Sequence, residues 1–462
     1  MIIHIKNFGK IDSADIDLSS LVIFVGENNS GKTYVMQLIY GLIDLLRDIR
    51  THIFLVSNNP GLFVDWDGKK GFSVSLDDAG FINLLQQAVN SYIEQNKNEI
   101  IERVFHTKEL TVESLWVEIT ALQDIISLIC EPDDMDNADE DYSKNLFRLD
   151  LNGNELYSVR FLEGIQRDRA DEILKRDIVS LVLSKILGLT HYVDPRRRDD
   201  KPIVYLPASR SGIMLLYANY LSSEATDNSF DGVEIDSGNN TVSENKYGVT
   251  QPVYDFLMLL LKHKTSGMID ETTQNLISFI NTHIINGRLE QIGNTVRYTP
   301  GEAERSLPIY LSSSLVSELA PLYQILSGIQ RFTYILYDEI ETCQHPTKQL
   351  QLARLLIRMV NSGYRLIVST HSDTMAAAIN NLITLSFKEN RDTLTKELEY
   401  EPDDILKTDR VSAYKFLIDN NGRTTVKDVP GHFSIGVGFD FDLFNSTNDK
   451  IYDDAVVLAE VD

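Results

Sequence analysis

Short, wholly apolar runs alternate along this chain with stretches of helical spacing. Leu21-Val22-Ile23-Phe24-Val25, Ile203-Val204-Tyr205-Leu206, Phe332 to Tyr337 and Arg365 to Ser369 are rich in β-branched and aromatic residues and read as buried strands. Met1 to Phe8 reads as a first strand, and Leu146 to Asp150 and Leu156 to Phe161 as two more. Helical spacing predicts helices over Tyr34 to Tyr40, Phe81 to Arg103, Val112 to Ile129, Ile165 to Leu187 and Gln251 to Lys264. Ala413 to Ile418 and Thr424 to Val429 flank Asp419-Asn420-Asn421-Gly422, a turn that predicts a hairpin. The acidic stretch Glu131 to Asp141 and the Asn/Ser/Gly-rich stretch Gly232 to Lys246 read as solvated loops. There is no internal repeat, and the mixture of strands and helices sets an α/β class.

The first apolar run leads into Gly26-Glu27-Asn28-Asn29-Ser30-Gly31-Lys32-Thr33, a complete G-x-x-x-x-G-K-[ST] pattern between a strand and a helix. Glycines let backbone N–H groups turn toward phosphate oxygens, and the helix N-terminus adds a favourable dipole. The loop assigns Gly26, Asn28, Asn29, Ser30, Gly31, Lys32 and Thr33 to nucleotide binding. Lys32 would reach the β/γ-phosphates of ATP, and the Thr33 hydroxyl would sit on Mg2+.

The run Phe332 to Tyr337 ends in Asp338-Glu339, the Walker B arrangement. A carboxylate at the end of a buried strand can hold Mg2+, which assigns Asp338 to the metal with Thr33. Glu339, the next carboxylate, is placed to polarise the attacking water. The alternative is that both acids cap a helix beginning near Pro346. The run Arg365 to Ser369 ends in Thr370-His371-Ser372, where ligands bind in open α/β sheets, so His371 is a candidate γ-phosphate contact and joins Glu339 as a catalytic candidate.

These motifs resemble those of ABC-class P-loop ATPases of the soluble OLD/RecF/SMC-like group. In that group Walker B is commonly followed by Glu-Pro-Glu-x-x-Leu-His-Pro, and this chain reads Glu339-Ile340-Glu341-Thr342-Cys343-Gln344-His345-Pro346. Both glutamates, the histidine and the proline fit, while Ile340 and Gln344 depart. The group's signature motif should precede Walker B, where Leu311 to Leu322 stands, and Ser313 and Ser314 are the residues offered to a nucleotide in trans. A plain serine N-cap is the other reading of that stretch. Tyr205-Leu206-Pro207-Ala208-Ser209-Arg210-Ser211-Gly212 and the signature wording are similar to compact ATPases of bacterial antiphage defence modules, such as PtuA of Septu and AriA of PARIS. Arg210 could sense phosphate or pair with an acidic neighbour. The resemblance implies an ABC-type ATPase head with a largely helical insertion between Walker A and the signature, and a homodimer, possible as a unit of a higher homo-oligomer, that sandwiches ATP.

On this reading residues 1–80 form an N-terminal ATPase lobe and 81–200 the mainly helical insertion. Residues 201–300 complete the ATPase lobe with further helices, 301–390 carry the signature, Walker B and switch histidine, and 391–462 form a β-rich extension. The insertion lacks the long heptad arms of SMC proteins. No compact acidic metal cluster of a second, nuclease domain stands out after His371, although Asp440 and Asp442 are present.

The formal charge of −25 on 462 residues repels nucleic-acid phosphate unless basic residues group. Arg196-Arg197-Arg198 and Arg167 to Arg176 do group, but Asp194, Asp199 and Asp200 bracket the first. DNA is therefore a possible but not favoured partner, and a separate effector protein, a nuclease or toxin, suits the acidic surface better. The expectation is an ATP-driven sensor or scaffold of an antiphage system, with a DNA-binding repair ATPase of RecF/SMC type as the alternative. Cys130 and Cys343 have no metal-ligand spacing and suit a reducing cytoplasm. No signal peptide is evident, and the longest apolar run, Phe256 to Leu261, is too short for a bilayer.

Overall fold

The computed structural model describes residues 1–49, 72–75, 79–119, 127–132, 146–151, 154–160, 183, 201–215, 248–261, 263, 265, 269–293, 295–301, 303–432, 438–441 and 452–458. The described strands are β1 (Ile2–Phe8), β2 (Ile11–Asp17), β3 (Leu21–Gly26), β4 (Phe72–Ser75), β5 (Val112–Glu118), β6 (Ser127–Pro132), β7 (Leu146–Leu151), β8 (Asn154–Arg160), β9 (Ile203–Leu206), β10 (Gly287–Ile292), β11 (Thr295–Pro300), β12 (Leu307–Pro308), β13 (Tyr334–Tyr337), β14 (Arg365–Thr370), β15 (Val411–Ile418), β16 (Thr424–Asp428), β17 (Gly431–His432) and β18 (Gly438–Phe439). The longer helices are α1 (Lys32–Asp48), α2 (Ala79–Phe105), α3 (Gln251–Leu261), α4 (Glu271–Phe279), α5 (Ser314–Ser327), α6 (Pro346–Asn361) and α7 (Asp373–Thr384). The chain forms two units, one of Met1–Lys6, Leu42–Ile100 and Val112–Asp199, the other of Asn7–Gly41, Ile101–Thr111 and Asp200–Asp462.

In the first unit β5 lies beside β1. The His4 ring stacks on Trp116 with centroids 3.7 Å apart. α2 is fastened to β5 by the Asn90 amide, which donates to Val117 O and accepts from Val117 N, both at 2.8 Å. Val112 to Ile129 is thus not the helix its spacing suggests: it contains β5 and the start of β6. Val112, Trp116 and Val117 favour extended backbone, and spacing alone does not separate the two forms in a short apolar run. β4, β6, β7 and β8 form an antiparallel sheet in that order. The expected helix Ile165 to Leu187 lies outside the described residues apart from Leu183, as do Arg167 to Arg176, Arg196-Arg197-Arg198 and Gly232 to Lys246.

The second unit is an α/β body built on a large mixed sheet, with strands in the order β2-β16-β15-β3-β14-β13-β9. β15, β3, β14, β13 and β9 are parallel to one another. Parallel strands are covered on both faces, which is why β3, β9 and β13 are buried at every position and read as unbroken apolar runs. β15 and β16 form the hairpin that Asp419 to Gly422 predicts.

The covering helices follow from their apolar spacing. On α6, Leu352, Leu355, Leu356 and Met359 recur at i, i+3, i+4 and i+7 and are fully buried. Each such side chain contributes about 1.5–3 kcal/mol against exposure. α5 adds Val316, Leu319, Leu322 and Leu326 to the same core, and α4 adds Leu276 and Phe279. Because the strands run parallel, the C-terminal ends of β3, β9, β13 and β14 share one edge, the place where ligands bind in such sheets. Among the described residues no helix is long and apolar enough to cross a membrane.

Candidate functional site

The loop between β3 and α1 is shaped by backbone that only small residues tolerate. Gly26 has φ +152° and Gly31 φ +98°. A Cβ on Gly26 would come within 2.9 Å of Phe416 O on β15, and one on Gly31 within 2.7 Å of Ile11 Cδ1 on β2. Asn29 takes φ +59°, the left-handed region in which asparagine is the most tolerated non-glycine residue. Ser30 N donates to Glu27 O at 3.3 Å and closes the turn. Asn28 and Asn29 are exposed at the rim, and Ser30 and Gly31 are buried.

Lys32 lies inside this loop. Its ammonium donates to Gly26 O (2.9 Å), Glu27 O (2.8 Å) and Ser30 Oγ (3.2 Å). Burial pulls its pKa down to about 8, against the opposing pull of Asp338, Glu339 and Glu341. Gly31, Lys32 and Thr33 stand where α1 begins, so their amides precede its first intrahelical bonds.

Asp338 leaves the end of β13 and is the most heavily bonded acid of the site. Thr33 Oγ1 donates to its Oδ2 at 2.7 Å, and the Tyr205 hydroxyl donates to the same oxygen at 2.8 Å. Ser369 Oγ, from β14, donates to Oδ1. Tyr205 is itself approached by Gln37 Nε2 at 3.5 Å. Burial, and then Asp338 beside it, push the Tyr205 pKa well above its ordinary value, so the hydroxyl keeps its proton. Tyr205, Ser369 and Gln37 were not among the residues assigned from sequence. For Tyr205 and Ser369 the available signal was a polar tip in an otherwise aliphatic strand; Gln37 lies on α1.

Glu339 has φ +46°, a strained conformation for a side chain of this kind. Its neighbours hold it there: Glu339 N donates to Ser369 Oγ at 2.8 Å, and Glu339 O accepts from Thr342 Oγ1 at 2.8 Å and Arg210 Nη2 at 3.1 Å. Its carboxylate, partly open to solvent, is 3.6 Å from His371 Nε2. His371 N donates to Glu341 Oε1 at 2.5 Å, so both glutamates of the motif meet the strand end that carries the histidine. Neither Asp338 nor Glu339 caps α6. His345 does, through Nδ1 accepting from Thr347 N at 3.3 Å with Pro346 at the first helical position. The departure at Gln344 has a local role: its amide folds back to Ile340 O at 2.9 Å, and Ile340 is buried.

Ser313 stands at the N-cap position of α5, yet its hydroxyl makes no capping bond. Ser313 and Ser314 are both exposed. Ser312 is turned inward and donates to Ile309 O at 2.6 Å. Ser314 lies against the Cys343 thiol, which burial raises above its ordinary pKa.

Arg210 pairs with an acid. It is fully buried, with Nε 2.7 Å from Glu318 Oε2 on α5, a carboxylate also fully buried. Its other nitrogens donate to Pro207 O (3.0 Å), Asp338 O (2.8 Å) and Glu339 O (3.1 Å), and its plane lies 4.5 Å from the Tyr337 ring centroid. Burial raises the Glu318 pKa and the Arg210 charge opposes it.

Asp338 and Thr33 therefore offer one carboxylate and one hydroxyl at the loop. Among the described residues no group of three or more His, Cys, Asp or Glu could hold a metal ion by itself. Mg2+ does not ask for one, since it binds through one or two carboxylates together with phosphates and waters.

A family model described as AAA ATPase domain matches residues 1–376. No curated protein matches the chain. Solved structures similar to it include an SMC head domain from Thermotoga maritima, 12% identical over 93% of this chain and 98% of that chain, TM-score 0.33. An Smc head domain with an extended coiled coil, bound to the C-terminal domain of ScpA derived from Pyrococcus furiosus, is 11% identical over 93% and 95%, TM-score 0.34. An SmcHead bound to the C-winged helix domain of ScpA is 11% identical over 94% and 98%, TM-score 0.36.

Proposed function

This chain belongs to the AAA ATPase domain family, and from that premise we propose that it binds and hydrolyses ATP with Mg2+, closes on the nucleotide as a homodimer, and thereby governs a separate effector protein. The observation that carries the ATPase reading is the 2.7 Å contact between Thr33 and Asp338, which lie 305 positions apart in sequence. The donor set fits Mg2+, since a hydroxyl and a carboxylate are hard oxygen ligands. Bound there, Mg2+ would neutralise charge on the β- and γ-phosphate oxygens.

The remaining work falls to the chain's own groups. Lys32 exchanges its carbonyl partners for phosphate oxygens, which restores a full countercharge to a buried ammonium. The Glu339 carboxylate orients the attacking water and takes its proton. His371, 3.6 Å from Glu339, contacts the γ-phosphate and holds the glutamate's orientation. Ser313 and Ser314 reach a nucleotide held by a second copy, where the α5 N-terminus adds its dipole. ATP then acts as a bridging ligand that stabilises the closed dimer by mass action.

The regulatory half of the proposal rests on the likeness of Tyr205 to Gly212 and of the signature stretch to antiphage-defence ATPases, and on the net charge of −25, which suits a basic protein partner. The test is affinity purification of the Glu339→Gln protein with ATP, followed by native mass measurement. A dimer or larger assembly carrying a stoichiometric protein supports the proposal. A bare dimer holding duplex DNA replaces it with a DNA-repair ATPase, and a monomer with ATP bound removes the dimer step.

A further inference from the structure

Among the described residues β9 is the outermost strand on its side of the sheet, and its four side chains are all buried. Ile203, Val204 and Leu206 need only an apolar environment. Tyr205 carries one polar atom into that environment, and a buried hydroxyl must find a partner. Several partners would satisfy it, backbone carbonyls included. The partner it has is Asp338 Oδ2, the oxygen that Thr33 also meets.

An ionised carboxylate offers about four lone-pair sites. Thr33, Tyr205 and Ser369 use three of them, from α1, β9 and β14 respectively. The carboxylate is therefore fixed from three separate elements, and one acceptor position remains for a further ligand. Mg2+ takes near-ideal octahedral geometry, so a ligand that can rotate costs it affinity. Hydrogen bonds to a ligating carboxylate act by removing that freedom.

We propose that Tyr205 is a positioning residue for the divalent cation: its hydroxyl fixes the Asp338 carboxylate in the orientation that the metal uses. This rests on the ATPase reading above. Tyr205 touches neither nucleotide nor metal. Gln37 extends the arrangement by one member, since its amide lies 3.5 Å from the Tyr205 hydroxyl beneath α1. The first residue of the Tyr205 to Gly212 run thus acquires a role on the side chain of Asp338, while Arg210 in the same run holds its backbone carbonyl.

The test compares wild type with Tyr205→Phe, which removes one oxygen and keeps the ring. Binding of fluorescent ADP is measured in EDTA, and binding of Mn2+ to the ADP-loaded protein is measured by electron paramagnetic resonance. The expected result is unchanged ADP affinity in EDTA and Mn2+ affinity weaker by about 10- to 100-fold, the size found when outer-shell partners are removed. Tyr334→Phe on neighbouring β13 is the control, because it stands at the opposite end of that strand from Asp338 and its hydroxyl is approached by Arg365. It should leave both affinities at the wild-type value. Thermal midpoints without ligand are recorded for all three proteins. Mn2+ affinity within twofold of wild type in Tyr205→Phe overturns the proposal and leaves the ATPase reading standing. An equal loss of ADP affinity in EDTA also overturns it, since the hydroxyl would then support the whole pocket. Failure of the wild-type protein to bind ADP at all would sink the ATPase reading itself.

Discussion

Replacing Arg210 by Met tests whether α5 is tied to the Walker B turn through a buried charge. The substitution keeps the length of the stem and removes the guanidinium. It leaves the fully buried Glu318 carboxylate without its cation at 2.7 Å, and it takes a donor from Pro207 O, Asp338 O and Glu339 O. Breaking a buried pair from one side costs about 3–5 kcal/mol, because an uncompensated charge stays behind. Glu318→Met leaves the guanidinium three carbonyls but no anion and should cost about the same. The double substitution leaves no charge stranded, so it should cost no more than the worse single and far less than the sum. The assay is equilibrium urea unfolding followed by far-UV circular dichroism. Tryptophan fluorescence would report on the wrong unit, since Trp116 falls within the first. Two additive losses, or singles within about 1 kcal/mol of wild type, would refute the argument, because either outcome denies that one group depends on the other.

Three further outcomes are expected. Glu339→Gln should bind ATP as well as wild type and slow hydrolysis by about 100- to 10,000-fold, read as phosphate release; a normal rate would remove Glu339 as the group that acts on water. Ser313→Ala combined with Ser314→Ala should leave ATP binding by the monomer intact and abolish the ATP-dependent dimer of the Glu339→Gln protein in sedimentation; an undiminished dimer would return these serines to ordinary surface. Lys32 has a pKa of about 8 in the free protein, and phosphate at the loop raises it again, so binding draws in a proton where the free lysine is neutral. ATP affinity should therefore fall as pH rises through about 8, with net proton uptake by calorimetry in buffers of different ionisation heat, and pH-independent affinity between about pH 7 and pH 9 would contradict this.

What the sequence conveyed depended on how local the cause was. Gly26, Gly31 and Lys32 were legible because a tight loop before a helix imposes residue types at fixed spacing. β3, β9, β13 and β14 were legible as apolar runs because both faces of a parallel sheet are covered. The β15–β16 turn was legible from Asp419 to Gly422, whose Asp419 Oδ1 accepts from the amides of Asn421 and Arg423 at 2.9 and 2.8 Å. Val112 to Ile129 misled, because its short apolar spacing suits either helix or strand and pairing with β1 decides for strand. The choice for Arg210 between phosphate and a carboxylate stayed open in sequence because Glu318 is brought to it by the packing of α5. Likewise nothing local to Tyr205 says that Asp338 lies across from it, 133 positions away.

The neighbours of β3 have a bearing on how the molecule is made. One side of β3 is completed by β14 and the other by β15, and the Ser19 and Ser412 hydroxyls at their shared end meet at 2.8 Å across 393 positions of chain. At about 5–20 residues per second, the ribosome needs roughly 20–80 s to pass from one to the other. Until then the strand that launches the glycine loop presents a bare, apolar edge, and Gly26 lacks the Phe416 backbone that packs against it. The nascent chain is thus unable to finish its glycine loop before β15 has been translated. Throughout that interval the edge is open to pairing with another chain.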